Sequence, residues 1–196
     1  LRTHLQRQLC GEIRLPGEHN VLNYLAAFAA VDELADDDAC ARVARHFAGV
    51  EHRLEIVRIL NGATFINDSI GSSPTRTIAG LRAMRTKPIV IAGGYDKHIP
   101  FDVLGPEIVE HVKTLVLCGA TADKIEEAVK KAPGYALGRP EILRVSPFEK
   151  AVEAARDAAS AGDVVTLSPA CAAFDQFKNF AERGKVFKTI VNGWEE

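Results

Sequence analysis

Three short turns carry the residue types best suited to chemistry. Each follows an apolar run: Gly93-Gly94-Tyr95-Asp96-Lys97-His98 after Ile89-Val90-Ile91-Ala92, Cys118-Gly119-Ala120-Thr121 after Leu115-Val116-Leu117, and Ser168-Pro169-Ala170-Cys171-Ala172-Ala173 after Val164-Val165-Thr166-Leu167. Strand-to-helix turns made of small residues expose backbone amides near helix N-termini and can cradle anions. Tight turns also need Gly and Ala for steric reasons alone, so no single turn identifies a site. Lys97 could receive a carboxylate or phosphate there, or be a solvated loop lysine. Asp68, at the end of Phe65-Ile66-Asn67, could accept hydrogen bonds from a ribose or cap the following helix. Arg53, within His52-Arg53-Leu54-Glu55, could hold a phosphate in its planar fork or pair with Glu55 or Asp68.

Several chemistries are disfavoured. No G-x-G-x-x-G turn followed by an acidic residue is present, which argues against a dinucleotide-binding oxidoreductase. No G-x-x-x-x-G-K-[ST] loop occurs, so any P-loop lies outside these residues. The histidines lack H-E-x-x-H spacing, and Cys10, Cys40, Cys118 and Cys171 form no C-x-x-C pair, so no metal site is expected. Three of these cysteines fall in stretches that read as buried or half-buried, which suits free thiols in a reducing cytosol.

The bulk composition is that of an ordinary globular chain. Of 196 residues, 47% are hydrophobic and 26% charged, with a net charge of -2. Acids slightly outnumber bases, where a nucleic-acid binder of this size would show a basic surplus or a basic face. No apolar run approaches membrane-spanning length, the first residues are no signal peptide, and the chain starts without Met. It reads as a piece of a longer protein, with neither nucleic acid nor membrane as a partner.

The elements that must position these turns follow from the apolar pattern. Glu12 to Gly17 reads as a short strand and turn, after which Asn20 is predicted to cap a helix through Val31. Asp36-Asp37-Asp38 opens a second short helix through Ala44, since negative charge suits a helix N-terminus. This segment has too few large apolar residues to offset chain ordering by itself and reads as the tail of a preceding domain. Leu54 to Leu60 and Thr64 to Ile66 read as strands joined by an Asn61-Gly62 hairpin turn. Further strands are predicted at Pro88–Ala92, Thr114–Leu117, Ile142–Val145 and Asp163–Leu167. Helices are predicted at Thr75–Met84, Asp102–His111, Ala122–Lys131, Phe148–Ala159 and Phe177–Asn192. Short, nearly all-apolar strands alternating with amphipathic helices imply an α/β domain, a doubly wound and mostly parallel sheet with helices on both faces.

In this order and spacing, several stretches resemble the Mur ligase family. They are Gly17-Glu18-His19-Asn20-Val21-Leu22-Asn23, Glu51-His52-Arg53-Leu54-Glu55, Asn67-Asp68-Ser69, Gly93-Gly94-Tyr95-Asp96-Lys97, and the long run from Ser168 to Gly184. The last is similar to the D-glutamate-adding branch in particular. The resemblance implies three domains in the full protein: one for a UDP-sugar substrate, a central P-loop ATPase and a C-terminal Rossmann-like domain. Residues 1–48 would end the central domain, and residues 49–196 would form the C-terminal, amino-acid-binding one.

The resemblance also implies an activity: a cytoplasmic, monomeric ligase of peptidoglycan synthesis that joins D-glutamate to UDP-N-acetylmuramoyl-L-alanine. ATP would phosphorylate the substrate carboxylate to an acyl phosphate, which the amine of the incoming amino acid attacks. Mg²⁺, bound mainly by the central domain, would offset charge during phosphoryl transfer. Closure of the C-terminal domain would keep water from the acyl phosphate. By the same comparison Asn20, Asn23, Arg53 and Asp68 serve ATP. Lys97 holds a carboxylate of the amino acid as the catalytic residue, while Ser72, Ala173, Phe174 and Phe180 line its pocket. The fragment alone is expected to be inactive.

Two positions depart from that branch: Ile70 stands where a Lys is common, and Ala173 where a Ser is. Losing a cation and a hydroxyl from one anion site would weaken binding by about 2 to 5 kcal/mol without compensation. Arg76 or His98 is expected to replace the cation. The alternatives are a family member adding a different amino acid, and a non-catalytic nucleotide- or amino-acid-binding module.

Overall fold

The computed structural model of the chain describes Ile13, Leu15, residues 17–136 and residues 138–195. Half of the stretch expected as a strand and turn over Glu12 to Gly17 lies outside the described residues, as does Cys10. The chain divides into two compact units, one ending at Val50 and the other starting at Glu51.

The first unit holds helices α1 (Glu18–Ala30) and α2 (Asp37–His46). The expected capping role of Asn20 is not found. Helix α1 begins three residues earlier, with Gly17 in the capping position and no side-chain cap, and Asn20 sits buried inside its first turn. Helix α2 starts as its acidic run predicts: the Asp36 carboxylate accepts from the Ala39 amide at 2.7 Å. Asp37 and Asp38 then lie at the positive end of the helix and Arg45 and His46 at the negative end. Tyr24, Phe28, Cys40 and Ala44 pack into a small core between the two helices.

The second unit is a six-stranded sheet with five helices. The strands are β1 (Glu55–Leu60), β2 (Ala63–Asn67), β3 (Ile89–Ala92), β4 (Thr114–Leu117), β5 (Glu141–Arg144) and β6 (Val164–Leu167). The helices are α3 (Pro74–Arg82), α4 (Leu104–His111), α5 (Ala122–Lys131), α6 (Phe148–Asp157) and α7 (Phe180–Asn192). Asn61 and Gly62 both have positive φ, 49° and 77°, so the two-residue turn closes β1 onto β2 as an antiparallel hairpin. The other pairings are parallel, in the order β1-β2-β6-β3-β4-β5.

Alternation along β3, β4 and β6 divides the core in two. Ile89, Ile91, Val116, Val165 and Leu167 face α6 and α7, where Phe148, Val152, Phe187 and Val191 cover them. Val90, Ala92, Leu115 and Leu117 face the opposite side, where Leu81 of α3, Leu104 and Ile108 of α4, and Ile125 and Val129 of α5 close over them. Burying each of the larger of these side chains contributes about 1.5 to 3 kcal/mol, and burial on both faces is why the central strands read as unbroken apolar runs. Cys118 and Cys171 are buried free thiols here, and Cys40 is another in the first unit. Among the described residues no helix is long and apolar enough to cross a membrane.

Topology then fixes where a ligand can enter. Strand β6 leads to α7 on one face, while its neighbours β2 and β3 lead to α3 and α4 on the other. Loops that part to opposite faces leave a crevice beyond the carboxyl ends of the strands, and β6 has one on each side.

Candidate active site

Three loops border these crevices: residues 68–73 after β2, 93–98 after β3 and 168–179 after β6. Close backbone approach draws them together. Gly94 has φ 147°, and a Cβ there would lie 2.4 Å from the carbonyl oxygen of Ala172, so only glycine lets the loops touch. The next amide, Tyr95 N, donates to that Ala172 carbonyl at 2.9 Å. Thr121, after β4, joins them: its hydroxyl accepts from Gly94 N at 3.1 Å and lies 3.0 Å from Cys171 Sγ. Burial pushes the Cys171 thiol up to about 11, so it serves as packing and not as a nucleophile.

The residues expected to bind an amino acid gather on this rim. The exposed Lys97 donates through Nζ to the Ser72 carbonyl at 2.9 Å, spanning from the β3 loop to the β2 loop. Phe174 is 64% exposed and meets the Tyr95 ring edge-on at 5.8 Å. Phe180, at the start of α7, packs edge-on to His52 at 6.0 Å, and its carbonyl accepts from Ser69 Oγ at 2.7 Å. Ala173 is buried beneath the same loop. Of the two candidate replacement cations, Arg76 reaches this loop: Nη1 lies 3.4 Å from the Ile70 carbonyl. His98 turns to Asp96 instead, with its backbone amide 2.7 Å from one carboxylate oxygen and its ring 3.6 Å from the other. Lys124 holds that carboxylate as well, at 2.5 Å.

Asp68 is more enclosed than a free ligand-binding carboxylate. It is 4% exposed; its Oδ2 accepts from Ser168 Oγ at 2.9 Å and its Oδ1 from Leu54 N at 3.2 Å. Burial pushes its pKa up to about 6, although both hydrogen bonds and the charges of Arg53 and Arg76 pull it down. Thr77 completes the knot: its Oγ1 lies 3.1 Å from Ser168 Oγ and accepts from Ala170 N at 3.1 Å. Asp68 thus ties the segment entering β1 to the loop leaving β6. That entry segment is strained: His52 and Leu54 have φ of 66° and 45°, a region costly for residues with side chains. It is held by Glu55 Oε2, which accepts from His52 N at 2.9 Å and Asn67 Nδ2 at 3.1 Å. Arg53 is exposed on the same segment. Asn20 and Asn23 lie one turn apart on α1 in the other unit, with Asn23 Nδ2 3.5 Å from Asn20 Oδ1.

A depression of about 290 Å³ beside Lys97 is walled by Asp96, His98, Phe101, Asp102, Lys124 and Lys131, and none of the expected amino-acid-binding residues lines it. Its lysines are already paired, Lys124 with Asp96 and Lys131 with Glu127. The rim of loops instead has cations resting on carbonyls, Lys97 on that of Ser72 and Arg76 on that of Ile70. Glu51, His52 and Glu55 bring three possible metal ligands together. The Lys188 ammonium already sits on both glutamates, at 3.1 and 2.5 Å, and His52 Nδ1 is engaged by Asn67 at 2.9 Å. A cation held in place is a poor fit to Mg²⁺, which prefers unpaired oxygen ligands and water.

Arg183, Ser69, Thr121 and Ser168, which build the floor with Thr77, lie in stretches quoted above, but none of the five was given a role of its own. For Arg183 a signal existed. It falls on the stripe of α7 that buries Gly184, Phe187 and Val191, a position where a charge is out of place.

Comparison with known proteins bears on this layout. The sequence model described as Mur ligase, glutamate ligase domain matches residues 52–171. The chain is 56% identical over 187 residues to the UDP-N-acetylmuramoylalanine–D-glutamate ligase of Acetivibrio thermocellus, covering 94% of this chain and 40% of that protein. It is 50% identical over 190 residues to the protein of the same name from Clostridium novyi, covering 96% and 42%. The chain therefore spans about 40% of the length of the curated relatives it matches. Among solved structures, a UDP-N-acetylmuramate-alanine ligase from Thermotoga maritima matches with TM-score 0.67 at 18% identity, over 92% of this chain and 39% of that one. A Mycobacterium tuberculosis folylpolyglutamate synthase complexed with ADP matches with TM-score 0.65 at 16% identity, over 93% and 42%. At such identity these two likenesses concern the fold alone.

Proposed function

The chain belongs to the Mur ligase family, and on that premise we propose that it is the amino-acid-binding part of an ATP-dependent ligase adding D-glutamate to UDP-N-acetylmuramoyl-L-alanine. In this reading residues 49–196 are the C-terminal domain and residues 1–48 the end of a central ATPase domain. The observation that carries it is Lys97, whose ammonium rests on a carbonyl at the rim where the loops after β2, β3 and β6 meet. A carboxylate arriving there replaces a neutral acceptor with a charged one, a stronger hydrogen bond by about a factor of two.

The chemistry needs little more from this domain than placement. ATP transfers its γ-phosphoryl group to the muramoyl-alanine carboxylate, giving an acyl phosphate. The glutamate nitrogen forms the new bond to the acyl carbon, the bond from that carbon to the phosphate oxygen breaks, and the amine gives up a proton. Lys97, as the catalytic and carboxylate-holding residue, fixes where that nitrogen lies, and proximity alone lowers such barriers by several kcal/mol. Ser72, Ala173, Phe174 and Phe180 shape the pocket, and the two phenylalanines exclude water that would hydrolyse the acyl phosphate. Asn20, Asn23, Arg53 and Asp68 serve the ATP side, Arg53 by offering its fork to phosphate. No step is assigned to Mg²⁺ here: among the described residues the cluster of possible ligands, Glu51, His52 and Glu55, already holds the Lys188 ammonium.

Ile70 and Ala173 favour one second reading, a ligase of the same family that adds another amino acid. Phosphate release by the full-length protein, given ATP, the UDP-linked substrate and one amino acid at a time, tests both. Release driven by D-glutamate supports the first reading, release driven only by another amino acid supports the second, and release by none defeats the two together.

A further inference from the structure

Arg183 carries a charge where a hydrophobic side chain would be expected. It is 3% exposed, on the buried stripe of α7, and forms no ion pair among the described residues. Its acceptors are all neutral. Nε donates to Ser69 Oγ at 3.0 Å, Nη2 to the carbonyls of Ser69 at 2.9 Å and Cys171 at 3.1 Å, and Nη1 to the carbonyl of Ala172 at 3.1 Å. Asp175 acts on it only through space and spends its own oxygen on the Ala120 amide at 3.1 Å. Burying a cation without a counter-charge costs several kcal/mol. Burial lowers the guanidinium pKa to about 10, still high enough to keep it charged at neutral pH. Core stability alone does not account for such a residue, because an apolar side chain of similar volume would often serve it as well.

The bonds suggest what the cost supports, because they run to two separate loops. Ser69 belongs to the loop after β2, and Cys171 and Ala172 to the loop after β6. The third loop hangs on the same atoms: the Ala172 carbonyl accepts from both Arg183 and Tyr95 N, and a Cβ on Gly94 would sit 3.2 Å from Arg183 Nη1. Ser69 Oγ, accepting from Arg183, donates onward to the Phe180 carbonyl. One rigid planar fork therefore spans the floor between the walls that bear Ser72, Phe174 and Phe180.

We propose that Arg183 is the positioning residue for the acidic substrate: its guanidinium, bonded to both loops, sets the spacing of the two crevice walls between which the substrate lies. The substrate's identity rests on the ligase reading above; the clamp rests on geometry alone. Lysine keeps the charge but is a point donor on a flexible stem and cannot bridge three residues in a fixed plane.

Arg183→Lys and Ser69→Ala in the full-length protein test this, with KM measured separately for ATP and for the acidic amino acid, and with melting temperature and amide hydrogen exchange followed. Arg183→Lys is expected to raise KM for the amino acid about tenfold or more while KM for ATP stays within about twofold. Exchange should quicken in residues 68–73 and 168–175 and hold steady in β4. Ser69→Ala, which removes one acceptor, should shift the same quantities in the same direction by about threefold. A folded variant whose amino-acid KM stays within about twofold, or in which both KM values rise together, overturns the proposal. If Arg183→Lys does not fold, Ser69→Ala decides by the same criteria. Should the unaltered protein release no phosphate with any acidic amino acid, the ligase reading fails instead. Unchanged exchange in the two loops would then refute the clamp, and faster exchange would uphold it.

Discussion

Lys97 reaches from the loop after β3 to the Ser72 carbonyl in the loop after β2, 2.9 Å away. The contact is exposed and its acceptor neutral, so it adds little to folding. Lys97→Ala should therefore leave the folding stability within about 0.5 kcal/mol of the original. In the full-length protein it should raise KM for the amino acid by about 10- to 150-fold, the value of one charge-assisted hydrogen bond. Steady-state kinetics beside a thermal melt measure both, and an unchanged KM would remove Lys97 from the site.

Arg76 and His98 should separate cleanly. Arg76 lies against the Ile70 carbonyl with no carboxylate paired to it among the described residues, whereas His98 is engaged with Asp96. We expect Arg76→Ala to raise the amino-acid KM about tenfold and His98→Ala to change it less than about twofold. The reverse order would show that His98 swings away from Asp96 to do the work.

Much of the fold was legible because burial on both faces leaves so plain a trace. The limits of β4 and α5 match the pattern reading, and the Asn61-Gly62 turn fell where its backbone angles require. Errors gathered where polar side chains outweigh periodicity. Helix α7 starts at Phe180 and not at Phe177, because Asn179 accepts from Glu182 N at 2.9 Å while Glu182 accepts from Lys178 N at 2.7 Å. The Asn179 N-cap signal stands in the sequence, and Glu182 adds a bond to the residue before the cap. Lys97 could be picked out because it follows a glycine-rich turn at the end of a strand, whereas Phe174 came only through the resemblance to the Mur ligases. Arg183 could not be ranked by type, since arginine is ordinarily a surface residue, and only its place on the buried stripe betrays it.

Asp68 should make stability fall as pH rises. Its folded pKa, near 6, lies above the ordinary carboxylate value of 3.8, so the folded chain holds a proton that the unfolded chain releases between those values. The stabilising contribution is complete below the lower value and lost as pH climbs through the upper one. About two decades of proton affinity correspond to about 3 kcal/mol, an upper figure. Asp68→Asn should be free of this loss, so its advantage in melting temperature over the original chain should grow from pH 4 to pH 7. An advantage independent of pH would show that burial of Asp68 is not what raises its pKa.

Gly94→Ala should separate the loops. The added Cβ would meet the Ala172 carbonyl at 2.4 Å, and φ of 147° is one that alanine rarely adopts. Strain of about 2 kcal/mol or more should lower the melting temperature by roughly 4 to 8 °C in a chain of this size. An unaltered melt would mean that the β6 loop yields without cost.

The most direct test of the site is a crystal structure of the full-length protein with its amide product bound. The ligase reading expects a carboxylate of the added residue within about 3.2 Å of Lys97 Nζ, between Ser72 and Phe174. A product whose added residue lies outside the rim formed by the loops after β2, β3 and β6 would contradict it.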